Sequence, residues 1–130
     1  MAAASNYLEN KLLDHALGTA SFTMPATVYL GLFTSGGGLE AGTLTAEISG
    51  GSYTRKVIDF AASSGGSAAN SATIDFTTAT ATWGTITHIA VLDASTGGNV
   101  LYHGAVSTSK LIESGDTFQV STGNMTIALD

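Results

Sequence analysis

The sequence of 130 residues has no cysteine, one proline and few charges, and these shortages exclude several kinds of chemistry and several classes of partner. Without cysteine it has no disulfide framework and no thiol chemistry. Four lysines and arginines stand against ten aspartates and glutamates, a net charge of −6, so cations are too few to bind a run of phosphates. No apolar run approaches about 18 residues, and the start MAAASNYLENK lacks the pattern of a signal peptide. We therefore expect no nucleic-acid partner, no membrane and no export.

The composition that is present predicts a folded, β-rich chain. Hydrophobic residues make up 44% and charged residues 11%, which is unlike a disordered sequence. The length fits one domain, residues 1–130, with a hydrophobic core large enough to be stable without disulfide cross-links. Abundant Gly, Ala, Ser and Thr suit short strands and turns, and they also suit a surface that a partner protein can bury at low entropic cost. Composition alone favours neither explanation.

An amphipathic helix is predicted at the start of the chain, over about residues 6–17. Asn6 and Glu9 have the spacing of a capping box, and Gly18 is a typical helix stop. One stripe of this helix is apolar: Leu8, Leu12, Leu13, Ala16 and Leu17. In the simpler interpretation the stripe covers the sheet, and in the alternative it docks to a partner.

From about residue 27 to residue 129 the pattern predicts short strands between glycine-rich turns. The clearest segment is residues 81–104, ATWGTITHIAVLDASTGGNVLYHG, where a Gly-Gly turn joins two strands of a hairpin. Further strands are predicted at residues 27–34, where Gly31 marks a bulge or a close backbone approach, at 53–60, at 73–76, and in the alternating residues from Phe118 to Leu129. About seven such strands predict a mainly β fold, an antiparallel β-sandwich or jelly-roll-like domain with one N-terminal amphipathic helix.

Residues 35–51 are predicted to form a long excursion outside the core, because their glycines interrupt any strand. The excursion, the helix and one strand aromatic are the segments that we expect to touch a partner. The candidate partner-binding residues are Leu8, Leu12, Gly37, Gly38, Leu39, Glu40 and Tyr102. Tyr53, Trp83 and Tyr102 could also offer aromatic faces to a glycan, although Trp83 fits a core position better.

No pattern in the sequence predicts a catalytic, cofactor or metal site. His88 and His103 fall on adjacent predicted strands but lack a third convergent ligand, and residues 93–99 hold too few carboxylates for calcium. A Gly-x-Ser-x-Gly elbow and a phosphate-binding loop are both missing. Asp59 and Asp75 share a face, but nothing indicates a cleft around them, as a glycosidase pair would need. We expect a non-enzymatic protein without cofactors.

Four segments, taken in order, resemble a family of small virion structural proteins of tailed bacteriophages: NYLENKLLDHALG, PATVYLGLFT, GGSYTRKVIDF and ATWGTITHIAVLDASTGGNVLYHG. The resemblance covers nearly the whole chain, its motifs are structural, and labels in the family vary between head decoration and tail fibre. It implies a virion component, made in the host cytoplasm, that forms a homo-oligomer and binds the major capsid protein or other virion proteins.

Two locations on the particle are open. The compact chain has no shaft-like repetition, which favours a capsid decoration or cement protein that stabilises the head shell through many weak contacts. The alternative is a tail, collar or tail-fibre component that contacts neighbouring tail proteins or host surface glycans.

Overall fold

The computed structural model describes residues 2–129, and it shows a mainly β, antiparallel structure with one N-terminal helix, α1, Asn6–Ala16. Within these residues the strands are β1 Ala3–Ala4, β2 Tyr29–Phe33, β3 Lys56–Val57, β4 Ser67–Ala69, β5 Ile74–Asp75, β6 Gly84–Leu92, β7 Val100–Ile112, β8 Gln119–Val120 and β9 Thr126–Ala128. The fold class predicted from the sequence is confirmed.

The strands form one main sheet and two small ones. The main sheet has the order β1-β7-β6-β2-β3, and each pair of neighbours is antiparallel. The small sheets are β4-β9 and β5-β8. One large apolar cluster joins Leu30 and Ile86 of the main sheet to Ile74 and Ile127 of the small sheets. The arrangement is therefore sandwich-like, with the core between the main sheet and the small sheets.

The predicted hairpin is confirmed as β6 and β7. The turn between them, residues 93–99, contains Gly97 and Gly98 at φ values of 59° and 75°, a conformation that glycine adopts without strain. Trp83 lies just before β6, where it is buried and donates from Nε1 to the Gly51 carbonyl at 2.9 Å. The core position predicted for Trp83 is confirmed, and its ring offers no face to a glycan.

The excursion differs from its prediction in one respect. Residues 35–51 contain no strand, as expected, but Leu39 is fully buried, so the expectation that this segment lies outside the core is wrong. Leu39 packs in a second apolar cluster with Phe33, Leu92 and Val100. These three residues alternate along their strands with residues of the large cluster, so they point to the opposite face of the main sheet. The excursion covers that face.

Helix α1 has a different N-cap from the predicted one. Ser5, and not Asn6, is the cap residue, because its Oγ accepts a hydrogen bond from the backbone N–H of Leu8 at 3.3 Å. The same hydroxyl donates to the Val100 carbonyl on β7. The helix stops before Gly18 as predicted, and Gly18 has a φ of 79°. In the described part of the chain, no helix is long and apolar enough to cross a membrane.

The two segments that share the Ile-Asp-Phe pattern do not pair with each other. The predicted strand over residues 53–60 is reduced to β3, which pairs with β2, while β5 pairs with β8. Asp59 and Asp75 are exposed, as expected. Pairing between the two segments was left open by their sequences, because strand partners are chosen by the whole fold.

Candidate partner-binding surfaces

Three segments that the sequence singled out meet at one corner of the molecule. The backbone N–H of Asn6, at the start of α1, donates to the Glu40 carbonyl at 3.0 Å. The Glu40 carboxylate lies 2.7 Å from Nε2 of His103 on β7. The neighbouring residue Tyr102 pairs with Ala4 of β1. We call Glu40 and His103 the corner surface; Tyr102 points to the opposite face of the sheet, because it pairs with Val91 of the large cluster. The contact between His103 and Glu40 was not predictable from the sequence, because the two residues are far apart along the chain.

The candidate residues predicted from the sequence differ in what they can offer to a partner. Leu8 and Leu39 are buried in the chain's own core, so their side chains present no surface. Leu12 and Tyr102 are half-buried, whereas Gly37, Gly38 and Glu40 are exposed. Burial raises the pKa of the Tyr102 hydroxyl, because the charged phenolate is less stable away from water.

The second half of α1 exposes apolar side chains to solvent. Leu13 is 57% exposed and Leu17 is 76% exposed, and residues four apart lie one turn apart on the same helix face. Met24, in the segment that returns from the helix, is 81% exposed. The apolar stripe predicted for the helix is therefore divided, because only its first half packs against the sheet. We call Leu13 and Leu17 the helix patch.

A groove of about 540 Å³ lies between β7 and the strands β8 and β9. Most of its apolar lining comes from Ile89, Ile112, Phe118, Val120 and Met125. Lys110 is the single charged residue among the groove-lining residues of the described chain. We call this groove the β7 groove. Its residues come from segments that have no shared motif, so the sequence did not predict it.

A buried polar network ties the excursion to the hairpin turn. Arg55 binds the Glu47 carboxylate and donates from Nη1 to the carbonyls of Ala94 at 2.7 Å and Gly97 at 2.9 Å. The Tyr53 hydroxyl donates to Oε2 of Glu47 at 2.8 Å. The hydrogen bonds to Glu47 raise the pKa of Arg55, and burial raises the pKa of Tyr53 well above its usual range. These groups satisfy one another, which is the pattern of a structural network.

The histidines of the hairpin do not converge on a metal site. His88 Nδ1 lies 2.9 Å from the Thr87 hydroxyl, whereas His103 contacts Glu40. Among residues 2–129 there is no group of three or more His, Asp or Glu side chains placed to hold a metal ion.

The fold and these surfaces define a class: a small antiparallel β module with an N-terminal helix, whose accessible apolar surfaces suit contact with other proteins. The family model described as podophage GP4 fiber I protein gp80 matches residues 3–128, so the chain belongs to that family. It is a virion structural protein of tailed bacteriophages, as the resemblance of its segments implied, and it interacts with other virion proteins. Among curated proteins, none matches the chain.

Proposed function

We propose that the chain is a structural component of the phage tail fibre that binds neighbouring virion proteins. The observation behind this proposal is the fibre family's match to residues 3–128. The match supports a fibre location better than the capsid surface, which compactness alone had favoured. The fibre description also supports a structural role over an enzymatic one.

The exposed surfaces support a role in assembly. Burying a leucine side chain stabilises a protein or a complex by about 1.5–3 kcal/mol. Leu13 and Leu17 are more than half exposed in the isolated chain, so a partner that covers them would gain binding free energy. We assign contact with a neighbouring virion protein to the helix patch, to the exposed Glu40 and to the accessible part of the half-buried Tyr102. Leu8 and Leu39 support these surfaces from the core.

Host glycans fit the described aromatic residues less well than a protein partner fits the helix patch. Of the three aromatic residues considered for a glycan platform, Trp83 is buried and Tyr53 and Tyr102 are half-buried. None presents a fully open ring face, which stacking against a sugar requires.

The copy number of the chain in purified particles tests the proposal, measured by quantitative mass spectrometry against the major capsid protein. A fibre component follows the low rotational symmetry of the tail, so we expect on the order of a few to a few dozen copies. Copies on the order of hundreds would follow the capsid lattice instead and would overturn the fibre location in favour of capsid decoration. Gold-labelled antibody against the chain gives an independent position on the same particles.

A further inference from the structure

Most of the outer edge of β7 has no strand beside it. β7 is 13 residues long, but β1 pairs only with its residues Tyr102 and His103, and beyond His103 no other described strand continues that side. On the inner side the register with β6 jumps from Ala105 to Lys110. The four residues Val106–Ser109 therefore have no ladder partner on either side. On the outer side no strand of the described chain pairs with their main-chain groups, so another strand can add there.

The β7 groove lies directly beside this open edge. Across the groove, β8 pairs on one side with β5, and no strand of the described chain pairs with its other side. The lining between the two strands includes Ile89, Phe118 and Val120. An open edge beside an apolar slot is the arrangement in which an extended segment adds to a sheet: main-chain hydrogen bonds give affinity, and alternate side chains fill the slot.

We propose that the β7 groove receives an extended strand from a different virion protein, which adds to the edge of β7 and places a carboxylate opposite Lys110. The added strand bonds to Val106–Ser109 and inserts alternate apolar side chains between β7 and β8. This inference rests on the proposed role in virion assembly and names the chemistry of one partner segment.

Charge determines the choice of occupant. The chain has a net charge of −6, yet the groove is lined by one ammonium group and no carboxylate. A groove of opposite sign to the rest of the molecule selects an acidic segment, because complementary charges fix register and disfavour wrong partners.

A second copy of this chain does not supply that charge from the same edge. The sequence of β7, VLYHGAVSTSKLI, contains no Asp or Glu. Antiparallel pairing of two such edges centred on Val106–Ser109 would place Lys110 opposite Ala105 of the other copy. The ammonium would then lose solvent without gaining a counter-charge.

The alternative explanation is that the irregular stretch Val106–Ser109 only prevents unwanted strand pairing, since bulges also make exposed edges poor partners for another strand. Amide hydrogen exchange at Val106–Ser109 distinguishes this explanation from strand addition. Exchange is compared between the isolated chain and purified particles that contain it. Strand addition is expected to slow exchange by about tenfold or more in particles. Equal exchange in the two samples would establish the protective role and overturn the proposal.

Photocrosslinking identifies what lies in the groove. Thr108 is replaced by a photoreactive phenylalanine analogue in the chain carried by infectious particles, and crosslinked peptides are sequenced by mass spectrometry. We expect a crosslink to another virion protein within a few residues of an Asp or Glu. A crosslink to a second copy of this chain, or to a segment without an acidic residue, would overturn the proposal.

Charge reversal supplies a matched pair of variants. Lys110→Glu and Lys56→Glu each change the net charge from −6 to −8, but Lys56 lies on β3 and does not line the groove. We expect Lys110→Glu to reduce incorporation into particles about tenfold while Lys56→Glu changes it less than about twofold. Equal effects at equal melting temperature would contradict a carboxylate opposite Lys110. The copy number of the unmodified chain is unaffected by these results, so the fibre location stands or falls separately.

Discussion

The guanidinium of Arg55 and the carboxylate of Glu47 form a bidentate ion pair, in which Nε donates to Oε2 and Nη2 donates to Oε1, each over 2.7 Å. The side chains are 3% and 15% exposed, so both ions have lost most of their hydration. The Nη1 group of Arg55 donates to the turn carbonyls of Ala94 and Gly97. One side chain therefore holds the excursion and the hairpin turn together.

Removing the charge of Glu47 should be strongly destabilising. Glu47→Gln leaves Arg55 buried without its counter-charge, so we expect the free energy of unfolding to fall by about 3–5 kcal/mol. Urea unfolding of both proteins measures the change. The double variant Glu47→Gln/Arg55→Met should lose less than the sum of the single variants, because neither charge then remains unpaired. A loss below about 1 kcal/mol for Glu47→Gln would mean that solvent screens the pair.

Tyr53 extends the same network, and its hydroxyl can be removed alone. The hydroxyl donates to Glu47 and accepts from the backbone N–H of Leu32 at 3.0 Å. Tyr53→Phe leaves both groups short of a partner, so we expect a loss of about 1–3 kcal/mol at neutral pH. Tyr29→Phe, a half-buried tyrosine outside the network, is the matched control and should change stability less. A loss no larger than that of the control would exclude this role.

The raised pKa of Tyr53 makes stability depend on alkaline pH. Burial is its main cause, and it favours the neutral hydroxyl in the folded chain. Above about pH 10 the unfolded chain loses this proton first, so the folded chain binds more protons and stability falls as pH rises. Tyr53→Phe should lessen that fall by up to about 1.4 kcal/mol per pH unit. Parallel stability–pH curves for the two proteins would show that the hydroxyl titrates normally.

Gly50 and Gly51 provide adjacent positions with one difference. Both have positive φ, 77° and 59°, so alanine at either position costs about 1–2 kcal/mol of backbone strain. A Cβ at Gly51 would also lie 2.8 Å from Nε1 of Trp83, whereas a Cβ at Gly50 meets nothing within 4 Å. We expect Gly51→Ala to lower the melting temperature clearly more than Gly50→Ala. Equal losses would mean that Trp83 moves aside without cost.

Substitutions near the two ends of helix α1 should have different effects, one on stability and the other on assembly. Leu8 is buried, so Leu8→Ala should cost about 2–5 kcal/mol of stability. Leu17 is largely exposed, so Leu17→Ser should change stability by less than about 0.5 kcal/mol and yet reduce incorporation into particles. Chemical unfolding and quantitative mass spectrometry of particles give the two readouts. Normal incorporation of Leu17→Ser would remove the helix patch from the partner surface.

Features set by neighbouring residues were predictable from the sequence. The Gly97–Gly98 pair predicted the turn of the hairpin, and the apolar spacing together with Gly18 predicted the end of the helix to within one residue. At Gly31 two explanations were open, and close approach is the right one: the strand pairing is regular, and a Cβ would lie 3.0 Å from Cδ1 of Leu92.

Features set by distant residues were not predictable. Leu39 is a lone apolar residue among glycines, and its burial depends on which face of β2 and β6 the excursion covers. The candidate list included Leu8 and Leu39 because sequence shows apolar character but not burial. The β7 groove needs the free edge of β7 to lie beside β8, which no local pattern encodes.

The N-terminal pairing of the chain sets the order in which the protein can fold during synthesis. Ser5 Oγ bonds to the carbonyl of Val100, 95 residues later, and Ala2 bridges to Ile127. At about 5–20 residues per second, a ribosome delivers these partners roughly 5–25 s after the first residues emerge. The bond from Ser5 to Val100 and the pairing of β1 with β7 cannot form before then, so α1, although its own cap is local, is anchored to the sheet only after nearly all of this sequence has been translated.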